Sequence, residues 1–295
     1  MNYGSVCSGI EGFSVAVDGL GWCAKWFAEI DPFCCDLLEA RYPGVPNYGD
    51  IAQADFRRFA KVDVVVGGTP CQSFSIQGNR QGMGDARGQL ARSFAEIVAV
   101  SRPRWVVWEN VPHALHVDDG RAFASILRGL VDCGYCCAWR VLDAQYFGVP
   151  QRRRRLFLVG HIGEIGCAAA VLFEPSANRK HAKTTRKIQA RERVNEGAKK
   201  VPGVIGWSGD ETPKCGLGVV PTLRASQGGE GVGIVSGNVG AKLTITEWER
   251  LQGFPDGYTK LDGWSESKRR HALGNSFAVP VMRWIAQGIA AVDAW

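Results

Sequence analysis

Cys71 stands in Gly67-Gly68-Thr69-Pro70-Cys71-Gln72-Ser73, directly after the apolar run Val62-Asp63-Val64-Val65-Val66. The run is short, β-branched and closed by two glycines, which is the pattern of a buried strand in a parallel sheet. Such sheets gather ligands and reacting groups at the carboxyl ends of their strands. A thiol presented there, on a turn stiffened by Pro70, is a candidate nucleophile, because thiolate is intrinsically very nucleophilic. The bland alternative is a small apolar residue closing a strand. Three more clusters weigh against it. Glu109 follows the apolar strand candidate Trp105–Trp108, so it projects from the same rim. A carboxyl group in such a partly apolar place has its pKa raised and can serve as an acid. Gln151-Arg152-Arg153-Arg154-Arg155 precedes the strand candidate Leu156–Val159. Alternate arginines on an extended backbone, Arg153 and Arg155, point to one side together.

The remaining cluster has the makings of a nucleoside-cofactor site. Ser8-Gly9-Ile10-Glu11-Gly12-Phe13 forms a glycine-bearing turn between a strand and a helix. Glu29-Ile30-Asp31 ends the second strand about 20 residues on, where a carboxylate is placed for ribose hydroxyls. Asp50-Ile51 follows another turn and suits an adenine edge. Asp31 before Pro32 reads equally as a helix N-cap followed by proline at the first helical position.

The elements that must carry these residues alternate along the first 160 residues. Strands are predicted at Tyr3–Cys7, Lys25–Ala28, Val62–Val66, Trp105–Trp108, Cys136–Val141 and Leu156–Val159. Helices are predicted near Phe13–Leu20, Pro32–Tyr42, Leu90–Ser101 and Arg121–Asp132. This alternation argues for an α/β fold with a doubly wound, mostly parallel sheet. Asn178 to Lys200 is strongly basic, and a glycine-rich polar stretch follows to about Gly240. Together they suggest a smaller, irregular second domain. Regular patterns resume at Leu243, and Phe277 to Trp295 reads as a closing helix. The domains are therefore expected at 1–165, at 166–267, and at 268–295 returning to the first.

Composition sets the class. The chain has 295 residues, ten cysteines and a formal net charge of +6. The cysteines are too sparse for a disulfide scaffold, and Cys133, Cys136 and Cys137 lack a second pair at metal-ligand spacing. No membrane span or leader pattern is visible. A soluble, cytoplasmic, monomeric protein without a metal is expected, and the mild positive charge permits a polyanionic partner.

Assembled, these residues make the chain resemble the DNA cytosine-5 methyltransferases of bacterial and phage type. Pro70-Cys71-Gln72 matches the family's nucleophile motif, Glu109-Asn110-Val111 its Glu-Asn-Val motif, and Gln151 to Arg155 its Gln-x-Arg-x-Arg motif. Thr244 to Pro255 and Gly274-Asn275-Ser276 match the last two motifs, in the family's order. Two positions depart from the pattern. Cys7 and Glu11 stand where the cofactor turn has a phenylalanine and its second glycine, and Leu90-Ala91-Arg92 lacks the aromatic pair that follows the leucine.

The resemblance implies S-adenosylmethionine as methyl donor, duplex DNA as partner, and cytosine flipped out of the stack. Cys71 would add to C6, with Glu109, Arg153 and Arg155 holding the base. The cofactor would meet Ser8, Gly9, Ile10, Gly12, Phe13, Glu29, Ile30, Asp50, Ile51, Pro70, Leu90, Asn275 and Ser276. DNA would meet Gln72, Ser73, Lys183, Arg186, Lys187, Arg224 and Gln227. Ser73 to Gly88, carrying Gly78, Gly82, Gly84 and Gly88, has the composition of a mobile lid. Three rival classes remain at this point. A nucleotide-level pyrimidine enzyme would not need the basic second domain. An RNA-methylating relative would share the motifs but differ in acceptor, and a non-catalytic DNA-binding homologue would most simply have lost Cys71 or Glu109.

Overall fold

The computed structural model describes residues 1–69, 86–164, 166–173, 204–207, 214–216, 219–220, 222–223, 231–236 and 239–294. Its contacts divide the chain into two units. The first comprises Met1–Leu142, Arg155–Glu174 and Ile285–Trp295; the second comprises Asp143–Arg154 and Pro175–Trp284. The boundary thus falls after residue 174 rather than 165. The twelve residues Asp143–Arg154 lie in the second unit although the alternation of strands and helices runs through them, because their partners are distant in sequence.

The first unit is built on a six-stranded sheet of order β2-β1-β3-β4-β6-β5. Its strands are β1 Asn2–Val6, β2 Cys23–Ala28, β3 Val64–Gly67, β4 Trp105–Asn110, β5 Tyr135–Asp143 and β6 Arg154–Ile162. The pairs β1–β2, β1–β3 and β3–β4 are parallel, whereas β4–β6 is antiparallel. Every residue of β3 and β4 is buried, as a sheet covered on both faces requires. Strand order reverses between β1 and β3, so the carboxyl ends of these two strands flank a topological switch point, the usual ligand position in such sheets.

Helices α1 Gly12–Val17, α2 Pro32–Arg41, α3 Ala86–Ser101 and α4 Arg121–Asp132 connect the strands. The α2 start is as its residues dictate: Asp31 accepts from the Cys34 N–H at 3.1 Å, and Pro32 occupies the first turn. Close packing constrains two glycines. A Cβ on Gly4 would fall 2.0 Å from the Trp26 ring, which lies against β1, and one on Gly129 of α4 would fall 2.9 Å from Ala95 Cβ of α3. Helix α1 is shorter than predicted and ends before Asp18, which leaves the helical region at ψ 130°. Among the described residues, no helix is long and apolar enough to cross a membrane.

The second unit holds more regular structure than its glycine-rich sequence suggests. Strands β7 Val204–Trp207, β8 Lys214–Gly216, β9 Gly231–Ser236 and β10 Val239–Lys242 form an antiparallel sheet of order β10-β9-β7-β8. These strands are short and interrupted by glycine, which reads as loop when neighbouring strands are unknown. After them come α6 Ile245–Gln252, α7 Glu266–Asn275 and the long α8 Val279–Asp293, following a short α5 Cys167–Leu172 in the first unit. Helix α6 opens with a full capping box between Thr244 and Glu247. Buried Glu249 accepts from the backbone of Gly257 at 2.7 Å and of Thr259 at 2.8 Å, and pairs with Arg269 at 3.4 Å.

Candidate active site and cofactor cradle

The carboxyl ends of β3 and β4 meet in register, Gly67 opposite Trp108. Beyond that point the two chains stay in contact. The Asn110 amide donates to the Thr69 carbonyl at 2.9 Å, and its own oxygen accepts from the Val111 N–H at 2.9 Å. The Trp108 indole N–H donates to Thr69 Oγ1 at 3.4 Å. Between them Gly68 is forced close to Glu109: a Cβ there would lie 2.8 Å from the Glu109 carbonyl oxygen and 3.2 Å from Oε2. The second glycine of the Gly-Gly pair is therefore a packing requirement of the carboxyl group.

Glu109 in turn meets a cation. Arg155 Nε lies 3.2 Å from Glu109 Oε1, with both side chains largely buried. The register explains the contact. Glu109 pairs with Phe157 across the strands, and Arg155, two residues before Phe157, is the diagonal neighbour on that face, within reach of a long side chain. The surroundings of Glu109 are thus more polar than an apolar strand end implies.

Arg153 takes another role than expected. Strand β6 begins at Arg154, so the extended alternation that would set Arg153 beside Arg155 does not reach back that far. Its guanidinium, almost fully buried, donates to the carbonyls of Leu223 at 3.2 Å, Gly274 at 3.0 Å and Ser276 at 2.6 Å. Three fixed acceptors make it an internal tie of the second unit, not a hand on a substrate. Gln151 does similar work there, donating to the Leu251 carbonyl at 2.9 Å.

The cradle for a nucleoside lies at the switch point. After β1 the chain passes through left-handed conformations at Cys7, Gly9 and Glu11. The Ser8 hydroxyl donates to the Ser5 carbonyl at 3.0 Å and accepts from the Ala28 N–H at 3.3 Å, tying the turn to both strands. Gly9 N–H donates to Glu29 Oε2 at 2.6 Å, and the Ile30 and Asp31 N–H groups both donate to Oε1 at 2.8 Å. Asn47 brackets the Glu29 backbone, accepting from its N–H at 2.9 Å and donating to its carbonyl at 3.1 Å. The carboxylate is thereby held in one orientation with acceptor capacity left on Oε2.

This cradle fits an adenosine group. A Cβ built on Gly9 would meet nothing within 4 Å, so the turn opens on free space beside the carboxylate. Ile30, 67 % exposed, offers an apolar surface to a flat ring. Burial, then the nearby charges of Glu29 and Asp50, push the Cys7 thiol up to about 12, which keeps it a neutral thiol at the position that departs from the family pattern. Asp50 is itself oriented by the Ala52 N–H and the Gln53 amide, each at 2.9 Å.

Not every expected cofactor contact is open to a ligand through its side chain. Phe13 and Ile10 are fully buried, and the Phe13 ring packs edge-on against Tyr3 at 5.0 Å and against Trp22 at 5.9 Å. Ile51 is in the core, and Leu90 is half-buried against it. Asn275 and Ser276 belong to the second unit, where the Asn275 amide lies 3.2 Å from His271 Nε2 and the Ser276 carbonyl is taken by Arg153. Pro70, Cys71, Gln72, Ser73, Lys183, Arg186, Lys187, Arg224 and Gln227 lie outside the described residues, as does the proposed lid up to residue 85. Its last three residues, 86–88, belong to α3.

Glu11 is the least expected residue of the turn. Its carboxyl is wholly buried, caps α1 by accepting from the Ser14 N–H and hydroxyl, each at 3.1 Å, and sits in left-handed backbone. Burial pushes its pKa up to about 7, against the pull of the Ser5 and Ser14 hydroxyls and with a further push from Glu29.

The family model for C-5 cytosine-specific DNA methylases matches residues 1–212 and 174–291. The chain belongs to that family. Its members methylate C5 of cytosine in DNA with S-adenosylmethionine as methyl donor. Among relatives, Type II methyltransferase M2.BsuMI of Bacillus subtilis (strain 168) is 30 % identical over 305 residues, covering 97 % of this chain and 74 % of that protein. A DNA N-6-adenine-methyltransferase of Escherichia phage P1 is 37 % identical over 239 residues, 63 % of this chain; the chain spans only 32 % of that relative's length. Among solved structures, the S. pombe Dnmt2 methyltransferase superposes with a TM-score of 0.73 at 16 % identity, covering all of both chains, which is a likeness of fold.

The residues that sequence reasoning passed over are the second layer: Thr69, Trp108, Asn47, and Arg153 as a tie. Thr69 carries one signal in hindsight, a hydrogen-bonding side chain within two residues of a strand end, whereas Asn47 lies far in sequence from the strand end it holds. Trp108 carries none, since its indole N–H is invisible inside an apolar run.

Proposed function

We propose that this chain methylates C5 of cytosine at a specific site in duplex DNA, with Cys71 as nucleophile and Glu109 and Arg155 as the groups that hold the flipped base. The observation that carries the reading is the Glu109–Arg155 pair at 3.2 Å on the rim where Gly68 and Thr69 lead to Cys71. The Glu109 carboxyl group, held beside a guanidinium, can accept from the exocyclic amine of cytosine and, when carboxyl and ring share a proton, bond to the ring nitrogen N3, a pattern thymine does not offer. The thiolate of Cys71 forms a bond to C6, and the C5–C6 π pair shifts to C5. Bound S-adenosylmethionine supplies an electrophilic methyl group for that carbon. Loss of the C5 proton to base then restores the double bond and expels the thiolate. Glu29 and Asp50 hold the donor's nucleoside end, and Ile30 covers its ring.

The second unit reads the site in this proposal. Lys183, Arg186 and Lys187 meet phosphates, which gives affinity without sequence information, while Arg224 and Gln227 reach base edges. Gln72 and Ser73 meet the strand beside the flipped base. One chain carries both the rim and the cradle, so the proposed enzyme works as a monomer in the cytoplasm.

Duplex DNA carrying 5-fluorocytosine, with S-adenosylmethionine, tests the reading, because fluorine cannot leave as the proton does. The expected result is a complex that survives denaturation with the wild-type chain and none with Cys71→Ser. Equal trapping by the serine variant removes Cys71 from the mechanism. Nucleoside analysis of the methylated DNA should find 5-methylcytosine; N6-methyladenine as the product would refute the proposal.

A further inference from the structure

We infer that Thr69 and Trp108 form a clamp that positions the chain leading into Cys71, which makes both of them positioning residues for the thiol's attack. The inference rests on Cys71 being the nucleophile. Thr69 is the second residue before Cys71 in sequence, is nearly fully buried, and is held at two points by one strand. Trp108 and Asn110 are two positions apart on β4, so they share a face, and both bond Thr69. Glu109, between them, turns to Arg155. Three consecutive side chains of β4 thus hold both Glu109 and Thr69, the second residue before Cys71 in sequence. Gly68 completes the arrangement, since only a residue without a Cβ fits there beside Glu109: a built Cβ would lie 2.8 Å from the Glu109 carbonyl oxygen.

The Trp108–Thr69 bond is the separable part. The indole of Trp108 is completely buried, and an indole N–H can only donate. Thr69 supplies a hydroxyl acceptor on a side chain short enough to stay beside the backbone it must hold. At 3.4 Å the bond is long, and its weight lies in what replaces it. Without the hydroxyl, a buried donor is left unsatisfied, and the strand end shifts to relieve it.

Single-turnover trapping on 5-fluorocytosine DNA reads the clamp, with S-adenosylmethionine affinity and the melting midpoint measured alongside. Thr69→Val, which has the same shape without the acceptor, should trap roughly tenfold more slowly with cofactor affinity unchanged. Thr69→Ser should recover most of the rate. Trp108→Phe removes the donor, and combined with Thr69→Val it should be no slower than Thr69→Val alone, because no donor is then orphaned. Should Thr69→Val fail to fold, Thr69→Ala deletes the same acceptor and enters the same cycle. Trapping by Thr69→Val at the wild-type rate, losses that multiply in the double variant, or a parallel loss of cofactor affinity overturns the clamp. Failure of the wild-type chain to trap would instead overturn the nucleophile assignment beneath it.

Discussion

Glu11→Gln isolates the consequence of burying a carboxyl group in the cofactor turn. The folded-state pKa is raised from an ordinary 4.5 to about 7, so the native state binds this proton more tightly than the unfolded chain does. Stability from this group is then fully present below pH 4.5 and is lost as the pH rises through about 7. At about 1.4 kcal/mol for each tenfold change in proton affinity, the full loss is about 3 kcal/mol, roughly two-thirds of it between about pH 5 and pH 7. The other ionisable groups facing this carboxyl are Glu29, which adds to the effect, and Tyr3, whose phenol burial keeps neutral. Glutamine keeps the shape and one acceptor oxygen for the Ser14 cap but cannot ionise. The stability difference between Glu11→Gln and the wild-type chain should therefore grow by about 2 kcal/mol from pH 5 to pH 7, or about 4–8 °C in melting midpoint. Denaturation of both proteins in a matched pH series measures it. A difference that stays flat across that range would refute the burial argument.

Two further substitutions probe the cradle and the rim. Glu29→Ala removes the charged acceptor proposed for the ribose hydroxyls, a bond of about 1.5–3 kcal/mol, so calorimetry should show S-adenosylmethionine binding weakened about ten- to a hundredfold, with DNA affinity in its absence little changed. Gly68→Ala sets a methyl group 2.8 Å from the Glu109 carbonyl oxygen; overpacking of this kind costs about 1–3 kcal/mol, and the methylation rate should fall further than the shift in melting midpoint accounts for.

The catalytic half of the fold was legible because its signals are local. The short β-branched run ended by glycine became β3, the apolar run before Glu109 became β4, and Asp31-Pro32 began α2 where the cap chemistry requires. The rim was legible for the same reason, since Glu109 follows one apolar run and Arg155 directly precedes another. What escaped were features set by distant partners. Arg153 looked like the twin of Arg155 until Leu223, Gly274 and Ser276 supplied carbonyls for it. Strands β7–β10 looked like loops, because glycine in an isolated segment cannot be told from glycine opposite a neighbouring strand. Phe13 and Ile51 were placed against the cofactor by their neighbours in sequence, whereas packing turns both side chains into the core.

The far end of α8 settles when the first unit can finish folding. Ile285, Ala286 and Ile289 are wholly buried, and Asp293 accepts from the Trp105 indole N–H and pairs with Arg104, both beside the first turn of β4. A nascent chain that has passed residue 162 has been given all six strands, yet lacks Asp293 for about 130 residues more of synthesis. During that interval the Trp105 indole and the Arg104 guanidinium lack the Asp293 carboxylate, so the start of β4 reaches its final form only after translation has passed Asp293.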